Sequence, residues 1–274
     1  MKRRNFIQIT AAALAAQGCF PLLAADAKKK TKAKAAVKKS WGISPNPYVE
    51  PSAIEPITGV LPDFTPAAGA AMTGSFTANY VLPAWQYAEE KSVNKLMGSA
   101  ALSFMPSGFE LTEIRNDKDN KTVASTAKTK VQFGKGNTAK TWTQESISKD
   151  REDTRFTEVG VWNGKKMVVK AKSFSREYAT ENPLIHRWGL LPLLASGQIK
   201  KKPLVFDMLD DSAIRPDQTL SYEGKIEIPV KGGTATLDSY VQTGYGIVPT
   251  HYLVDQNGRV QLITLSTVNW VLAA

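Results

Sequence analysis

The stretch from Phe156 to Phe174 reads FTEVGVWNGKKMVVKAKSF and decides the fold class of the chain. Two runs rich in β-branched and aromatic residues flank Asn163-Gly164, a dipeptide in which both residues tolerate the positive φ angles of a tight hairpin turn. The stretch therefore predicts an antiparallel β-hairpin, with one strand over 156–162 and a return strand over 166–174.

Segments of the same texture continue on both sides of this hairpin. Strands are predicted over 100–105, 109–115, 122–133 and 138–147 before it, and over 204–209, 219–230, 234–243, 250–254 and 260–265 after it. Turn residues separate them at hairpin spacing and no alternating helices intervene, so the sheet should be mainly antiparallel.

Residues 182–195 interrupt the strand series. They are leucine-rich, Asn182 can cap a helix, and Pro183 can occupy the first helical turn. The chain is therefore expected to be mainly β: a long curved antiparallel sheet, or half-barrel, with a short helical insertion over 182–195.

Three features resemble the exported half-barrels of the lipoprotein-carrier (Lol) type and their uncharacterised relatives. They are the strand series over 99–174, the Leu/Pro-rich insertion over 183–194, and the closing segment VPTHYLVDQNGRV over 248–260. The resemblance covers residues 98–267. It implies a curved sheet that wraps a short helical segment and presents a concave apolar face, which holds acyl chains or hydrophobic segments.

Residues 1–27 are typical of an export signal. Arg3-Arg4 and the following Asn-Phe-Ile-Gln resemble the twin-arginine signal, and Ala25 to Ala27 offers a small-x-small cleavage site. The apolar run between them is too short to cross a bilayer of roughly 30 Å. We expect a periplasmic or otherwise exported protein. A lipoprotein anchored at Cys19 is the alternative.

Residues 28–40 form a lysine-rich arm that is expected to be disordered. The leader and the arm hold ten of the 35 basic residues and one of the 25 acidic ones, so the remaining chain carries 25 basic and 24 acidic residues. Near an anionic membrane each lysine contributes about 1 kcal/mol, and acidic cell-wall polymers would attract the same charges. The lysines in question are Lys28, Lys29, Lys30, Lys32 and Lys34. A solubilising spacer is the alternative. Nucleic acid is not an expected partner, because the arm has no interleaved aromatic residues for base stacking.

Residues 41–97 are expected to be a proline-rich linker and weakly structured lead-in, with a short helix over 84–96. Six prolines between Trp41 and Pro66 disfavour a regular helix there. The β domain is then expected to cover residues 98–274.

Aromatic residues are the main binding candidates. If the sheet curves around the insertion, five aromatic side chains could line one concave surface and bind a hydrophobic ligand. They are Trp142, Phe156, Trp162, Phe174 and Trp188. The alternative is that these side chains simply form the core.

Catalytic signatures are sparse. Four carboxylates together with His251 are the best acid–base material, which would suit a hydrolase of envelope polymers: Asp207, Asp210, Asp211 and Glu223. The Asp210-Asp211 pair, however, lies in a polar turn between strands. The Gly-x-Ser-x-Gly elbow, the calcium-loop spacing and a dinucleotide fingerprint in its strand-turn-helix context do not occur in the sequence. No catalytic residue, metal site or cofactor is predicted.

These features favour a non-enzymatic envelope protein that binds a hydrophobic ligand or an envelope partner in a curved β-sheet. A carboxylate-based hydrolase and a structural or assembly component without a small ligand are the alternatives. The sequence contains no feature that fixes the oligomeric state.

Overall fold

The computed structural model describes residues 65–83, 96–117, 122–149, 151–211, 213–265 and 268–273. All of them belong to one unit, Ser40–Ala274. The export signal, the lysine arm, the linker up to residue 64 and the helix expected over 84–96 lie outside the described residues, apart from Leu96, which begins a strand.

Fifteen strands dominate the described part of the chain. They are β1 (Phe76–Pro83), β2 (Leu96–Met105), β3 (Gly108–Asn116), β4 (Val123–Phe133), β5 (Ala139–Ser148), β6 (Arg151–Trp162), β7 (Lys166–Ala171), β8 (Phe174–Ala179), β9 (Leu184–His186), β10 (Leu204–Asp210), β11 (Ala213–Val230), β12 (Gly233–Thr243), β13 (Thr250–Val254), β14 (Val260–Leu265) and β15 (Val268–Leu272). Helical turns are short: 3-10 turns at Lys135–Asn137, Arg187–Leu190 and Gln198–Lys200, and the α-helix α1 at Leu191–Ala195.

The strands form one open sheet in the order β8-β7-β6-β5-β4-β3-β2-β1-β15-β14-β13-β12-β11-β10-β9. From β1 to β8 and from β10 to β15, strands that follow each other in the chain pair antiparallel, and β1 pairs with β15 at Tyr80↔Leu272, which joins the two halves of the sheet. Among the described strands, only β9 and β10 pair in parallel. The expectation of a mainly β, antiparallel half-barrel with a short helical insertion is confirmed.

The decisive hairpin is confirmed, with a shift of one residue in its turn. Trp162 pairs with Met167, and Asn163 N–H donates to the Lys166 carbonyl, so Gly164 and Lys165 are the two turn residues. Gly164 has φ +97°, whereas Asn163 stays outside the positive-φ region. Asn163 instead uses its side-chain Oδ1 to accept the backbone N–H groups of Lys165 and Lys166. Glycine at the first turn position suits this geometry.

The predicted return strand over 166–174 is in fact two strands. β7 ends at Ala171, Lys172-Ser173 forms a second tight turn, and β8 begins at Phe174, which pairs with Ala171. The prediction missed β8 because a lysine and a serine are weak turn signals beside the surrounding polar residues.

The insertion also begins differently from the prediction. Residues 184–186 form β9, and the helical part starts only at Arg187. Asn182 does not cap a helix, since its side-chain amide donates to the carboxylates of Asp207 and Asp217. Pro192, rather than Pro183, occupies the first turn of α1.

Two further strands, β1 and β15, were not predicted from the sequence. β1 lies in the segment expected to be a lead-in, and its Tyr80 is fully buried. Tyr80 Oη donates to the Val260 carbonyl at 2.7 Å, and burial strongly raises the pKa of the phenol. β15 was also missed, although it supplies the pairing partner of β1.

The insertion fills the concave side of the sheet. Trp188 is 2% exposed, with its ring centroid 5.3 Å from that of Tyr80 and 5.4 Å from that of Trp270. Leu190, Leu191 and Leu194 are buried in the same apolar cluster, which reaches from β7 through β1 to β12. Strands from both halves of the sheet therefore curve around one segment, because each half buries its apolar face against it.

A second, smaller apolar cluster lies on another part of the sheet. Its members are Ile228, Leu237, Leu253, Leu262 and Val271. Within the described residues no helix is both long enough and apolar enough to span a bilayer.

Candidate binding face

The concave face of strands β5 to β8 carries most of the predicted binding residues. Side chains alternate between the two faces of a strand, so Phe156, Gly160 and Trp162 of β6 point to the same side. Trp142 of β5 pairs with Gly160, and Phe174 pairs with Ala171, which pairs with Glu158 of β6. Four of the five predicted aromatic residues therefore share one face of the sheet, while Trp188 comes from the insertion.

Trp142 is part of the packed core of this face. It is 1% exposed, and its indole covers the bare Cα of Gly160 so closely that a Cβ there would lie 1.9 Å from the ring atoms Cε2 and Cζ2. Glycine is needed at this position because the ring uses the space of a side chain. Trp142 and Trp188 are thus too deeply buried to touch a ligand in this structure.

Trp162 lies at the turn end of β6 and is half-buried. Its Nε1 donates to Thr180 Oγ1 at 2.8 Å, which ties β6 to the end of β8. The hydrogen bond fixes the indole, and the remaining ring surface stays partly open.

Phe156 and Phe174 form the accessible part of this face. Their rings stack with centroids 6.1 Å apart and an interplanar angle of 23°, and Phe156 is 38% exposed. The guanidinium of Arg176 lies 4.9 Å from the centre of the Phe174 ring, a cation–π contact. Tyr178 continues the same side of β8 and is half-buried. We name this group the concave strip: Phe156, Trp162, Phe174, Arg176 and Tyr178.

Asp207, the deepest of the predicted carboxylates, serves as a structural clasp. It is 2% exposed and accepts hydrogen bonds from the backbone N–H groups of Glu181, Asn182 and Asp217 at 3.2, 3.4 and 3.0 Å. The Asn182 side-chain amide adds a fourth bond at 3.1 Å. This carboxylate joins the β8–β9 connection to β11, so its oxygens are already occupied.

Asp210 and Asp211 belong to an ion network centred on Arg187. Arg187 Nη2 contacts Glu113 Oε2 at 2.6 Å and Asp211 Oδ1 at 3.5 Å, and Nη1 contacts Asp210 Oδ1 at 3.3 Å. Arg115 and Arg215 complete the network by pairing with Glu113 and Asp210. Burial opposes the charge on Arg187, but the carboxylates of Asp211, Glu113 and Asp210 outweigh it and raise the pKa of the guanidinium.

The network holds three guanidinium groups and three carboxylates, so its formal charges cancel. It links β3 to the insertion and to the β10–β11 hairpin. Because each charged group is paired with an opposite one, the network holds these elements in position.

The remaining acid–base candidates are dispersed. Glu223 lies beside the bulge of β11 and accepts a hydrogen bond from Ser221 Oγ at 3.1 Å. His251 pairs with Val241 and Thr264 in the neighbouring strands, and burial lowers its pKa.

His186 is a neutral hydrogen-bond acceptor within the core. Burial and the nearby Arg187 lower the pKa of its imidazole to about 3. Its Nδ1 accepts the Trp188 backbone N–H at 3.2 Å, and its ring meets Phe109 edge-on at 5.1 Å. The side chain thereby fixes the start of the helical insertion.

A partly open depression of about 380 Å³ lies at the β2–β3 and β4–β5 turns. Met105, Phe109 and Phe133 supply apolar surface there, beside the ion pair of Glu110 and Lys130. Among the residues that the structure describes, no group of three His, Cys, Asp or Glu side chains could hold a metal ion.

The five lysines of the arm lie outside the described residues.

Comparison with known proteins gives a structural likeness. No family model and no curated protein match the chain. Among solved structures, it is similar to a beta-barrel-like protein of the domain of unknown function DUF1849 from Brucella abortus. The two chains are 11% identical with a TM-score of 0.49, over 73% of this chain and 96% of that one.

Arg176 and Tyr178 were not singled out from the sequence. The signal for them is the period of two in β8, FSREYA, where positions 174 and 178 are aromatic and position 176 is basic. The predicted return strand ends at Phe174, so the alternation over residues 174–178 lies outside it.

Proposed function

We propose that this chain is an exported, non-enzymatic envelope protein that binds a hydrophobic ligand, or a hydrophobic segment of an envelope partner, on the concave strip. The observation that carries the proposal is the Phe156–Phe174 stack. It leaves 38% of Phe156 exposed, whereas Trp142 and Trp188 are almost fully enclosed. Exposed aromatic surface of this kind is common where proteins bind apolar partners.

The filled interior favours a binding mode at the surface. Trp188, Leu190 and Leu191 occupy the space that a carried acyl chain would need, and each is at most 2% exposed. A ligand on the concave strip would displace only water from Phe156 and Phe174. A protein segment suits such a strip better than a small cargo molecule, because the strip is open along one side.

The engaged carboxylates argue against the hydrolase alternative. A general acid–base pair needs groups that can exchange protons with a substrate in one cleft. Asp207 receives four hydrogen bonds, and Asp210 is shared between Arg187 and Arg215. These contacts hold elements together and leave little room for proton transfer.

The lysine-rich arm would dock the exported protein weakly on an anionic surface. Support for export comes from Arg3-Arg4 and from the small-x-small site at Ala25 to Ala27. Five lysines over 28–34 without an acidic neighbour support the surface contact, at about 1 kcal/mol each on an anionic membrane.

Oleate binding to the purified full-length chain tests the concave strip. We expect saturable quenching of tryptophan fluorescence, since Trp162 belongs to the strip. The double variant Phe156→Ala, Phe174→Ala should bind oleate at least tenfold more weakly. Val161→Ala is the matched control, because Val161 lies on the opposite face of β6 and is 50% exposed.

The comparison of these variants decides the proposal. Equal oleate affinity in the double variant and in the control would remove the concave strip as the binding site. Loss of binding confined to the double variant, with an unchanged unfolding midpoint, would support it.

A further inference from the structure

One edge of the sheet is exposed and the other is not. Among the described strands, β8 is the first in the sheet order and pairs with β7 alone, and four of its six residues are exposed. β9 ends the other side, but it has only three residues and all of them are buried. An exposed edge strand presents free backbone donors and acceptors to another chain. Of the two strands that end the sheet order of the described residues, β8 is the one with an exposed edge along its length.

The register of β8 fixes which backbone groups point outward. In an antiparallel pair, alternate residues exchange hydrogen bonds with the partner strand, and the residues between them face away. Thr180 N–H donates to the Lys165 carbonyl at 2.8 Å, which sets the phase of the ladder. Ser175, Glu177 and Ala179 therefore turn their N–H and C=O groups away from β7. All three are exposed.

The intervening residues present a row of side chains next to this edge. Phe174, Arg176 and Tyr178 lie on the concave face, in the order aromatic, basic, aromatic. Within the described part of the chain, Arg176 has no carboxylate partner, and its guanidinium lies 4.9 Å from the centre of the Phe174 ring. An added strand would place its own side chains directly opposite this row, at the spacing where opposite charges and apolar pairs stabilise a sheet.

We propose that β8 accepts an extended segment of a partner protein as a sixteenth, antiparallel strand, and that this segment carries an acidic side chain between two apolar ones on its concave side. The proposal rests on the proposed function, since it names the partner that occupies the concave strip. Backbone hydrogen bonds to Ser175, Glu177 and Ala179 supply affinity, and the side-chain row supplies specificity. Strand addition to a free edge is a recurrent mode of peptide recognition.

A second copy of this chain fits the edge poorly. Antiparallel pairing of two β8 strands that engages Ser175, Glu177 and Ala179 of both copies is centred on Glu177 and places this carboxylate opposite its own copy. Like charges directly opposite each other destabilise a sheet. The edge therefore favours a different partner.

The test uses a fluorescein-labelled peptide, Thr-Val-Thr-Asp-Thr-Val-Thr, and fluorescence anisotropy with the full-length chain. When it pairs antiparallel with β8, its valine and aspartate side chains face Tyr178, Arg176 and Phe174, and its threonines exchange hydrogen bonds with the edge. N-methylation of the central threonines should weaken binding at least tenfold. N-methylation of the two valines should leave binding within threefold, because those N–H groups face away from β8.

Variants of the protein give a second, independent readout. Glu177→Pro removes an outward N–H and should weaken peptide binding at least tenfold. Glu177→Ala, which also loses the Lys166 ion pair but keeps the N–H, should stay within twofold. Arg176→Glu should reverse the preference from the aspartate peptide to one with lysine in its place. The N-methyl comparison leaves the protein unchanged, so it stands even if Glu177→Pro fails to fold.

The outcomes separate this proposal from the proposed function. Equal binding of the two N-methylated peptides would overturn strand addition by a partner. The same holds if the peptide does not bind and sedimentation shows a dimer that Glu177→Pro abolishes. If oleate binding still depends on Phe156 and Phe174 in that case, the concave strip stands alone. If the peptide binds with the expected methylation pattern while oleate does not bind, strand addition stands and the hydrophobic-ligand version falls.

Discussion

Gly160→Ala is the sharpest probe of the concave face. The new Cβ would lie 1.9 Å from Cε2 and Cζ2 of Trp142, whereas ordinary contact begins near 3.4 Å. The indole would have to retreat by about 1.5 Å, and it is 1% exposed with packed neighbours around it. Overpacking of this kind costs about 1–3 kcal/mol, and full loss of a buried tryptophan costs about 3–5 kcal/mol.

We therefore expect Gly160→Ala to lower the free energy of unfolding by about 3 kcal/mol. For a domain of this size, that corresponds to a fall in Tm of roughly 6–12 °C. Urea unfolding followed by tryptophan fluorescence measures the change. Gly189→Ala is the control: Gly189 lies near the buried insertion, but a Cβ there would meet its nearest atoms at 3.6 Å. Its effect should stay below about 1 kcal/mol.

A double-mutant cycle isolates the contact. In a Trp142→Ala background the space above residue 160 is empty, so Gly160→Ala should cost less than about 1 kcal/mol. The reasoning is refuted if Gly160→Ala is as harmless as Gly189→Ala, or if its cost is unchanged when the indole is absent. Either result would mean that Trp142 does not rest on Gly160.

Three further predictions address other parts of the chain. Folding lowers the pKa of His186 to about 3, whereas the unfolded chain takes up this proton near pH 6.5. The free energy of unfolding should therefore fall as the pH drops from about 6.5 toward 3. In His186→Asn this part of the pH dependence should vanish, which acid titrations of the unfolding midpoint measure. Asp207→Asn should lose about 2–3 kcal/mol in urea unfolding, because an amide N–H₂ would face backbone donors. Asp211→Asn, at an exposed carboxylate 3.5 Å from Arg187, should change stability by less than about 1 kcal/mol. Replacing Arg3 and Arg4 with lysine should retain the full-length chain in the cytoplasm on fractionation, and unchanged export would exclude a twin-arginine route.

The sequence predicts the sheet well because hairpin signals are local. Strands over 250–254 and 260–265 agree with β13 and β14 at both ends, and the hairpin around Gly164 differs only in which residues form the turn. Apolar alternation and turn residues act within about ten positions, so a single sequence contains them.

Features that depend on distant contacts could not be predicted in the same way. β1 and β15 pair at Tyr80↔Leu272, two residues that are 192 positions apart in the chain (272 − 80), so no local turn signal between them indicates the pairing. Asn182 looks like a helix cap in isolation, but its amide binds Asp207, 25 residues away. The same holds for the candidate site. Aromatic residues indicated the concave face, but only the register shows that Trp142 is covered while Phe156 stays open.

The filled interior and the free edge have a common origin. β8 and β9 are consecutive in the chain, so a direct antiparallel pairing between them could have closed the sheet. Instead the chain turns after Thr180, the Asp207 clasp holds the connection against β11, and β9 pairs with β10 and leads the insertion inward. The segment that fills the interior is thus the one that leaves β8 without a second neighbour among the described strands. The position of the β8 edge depends on the connection that Asp207 holds. Asp207→Asn should therefore reduce peptide binding to β8 as well as the free energy of unfolding, although Asp207 lies outside the concave strip.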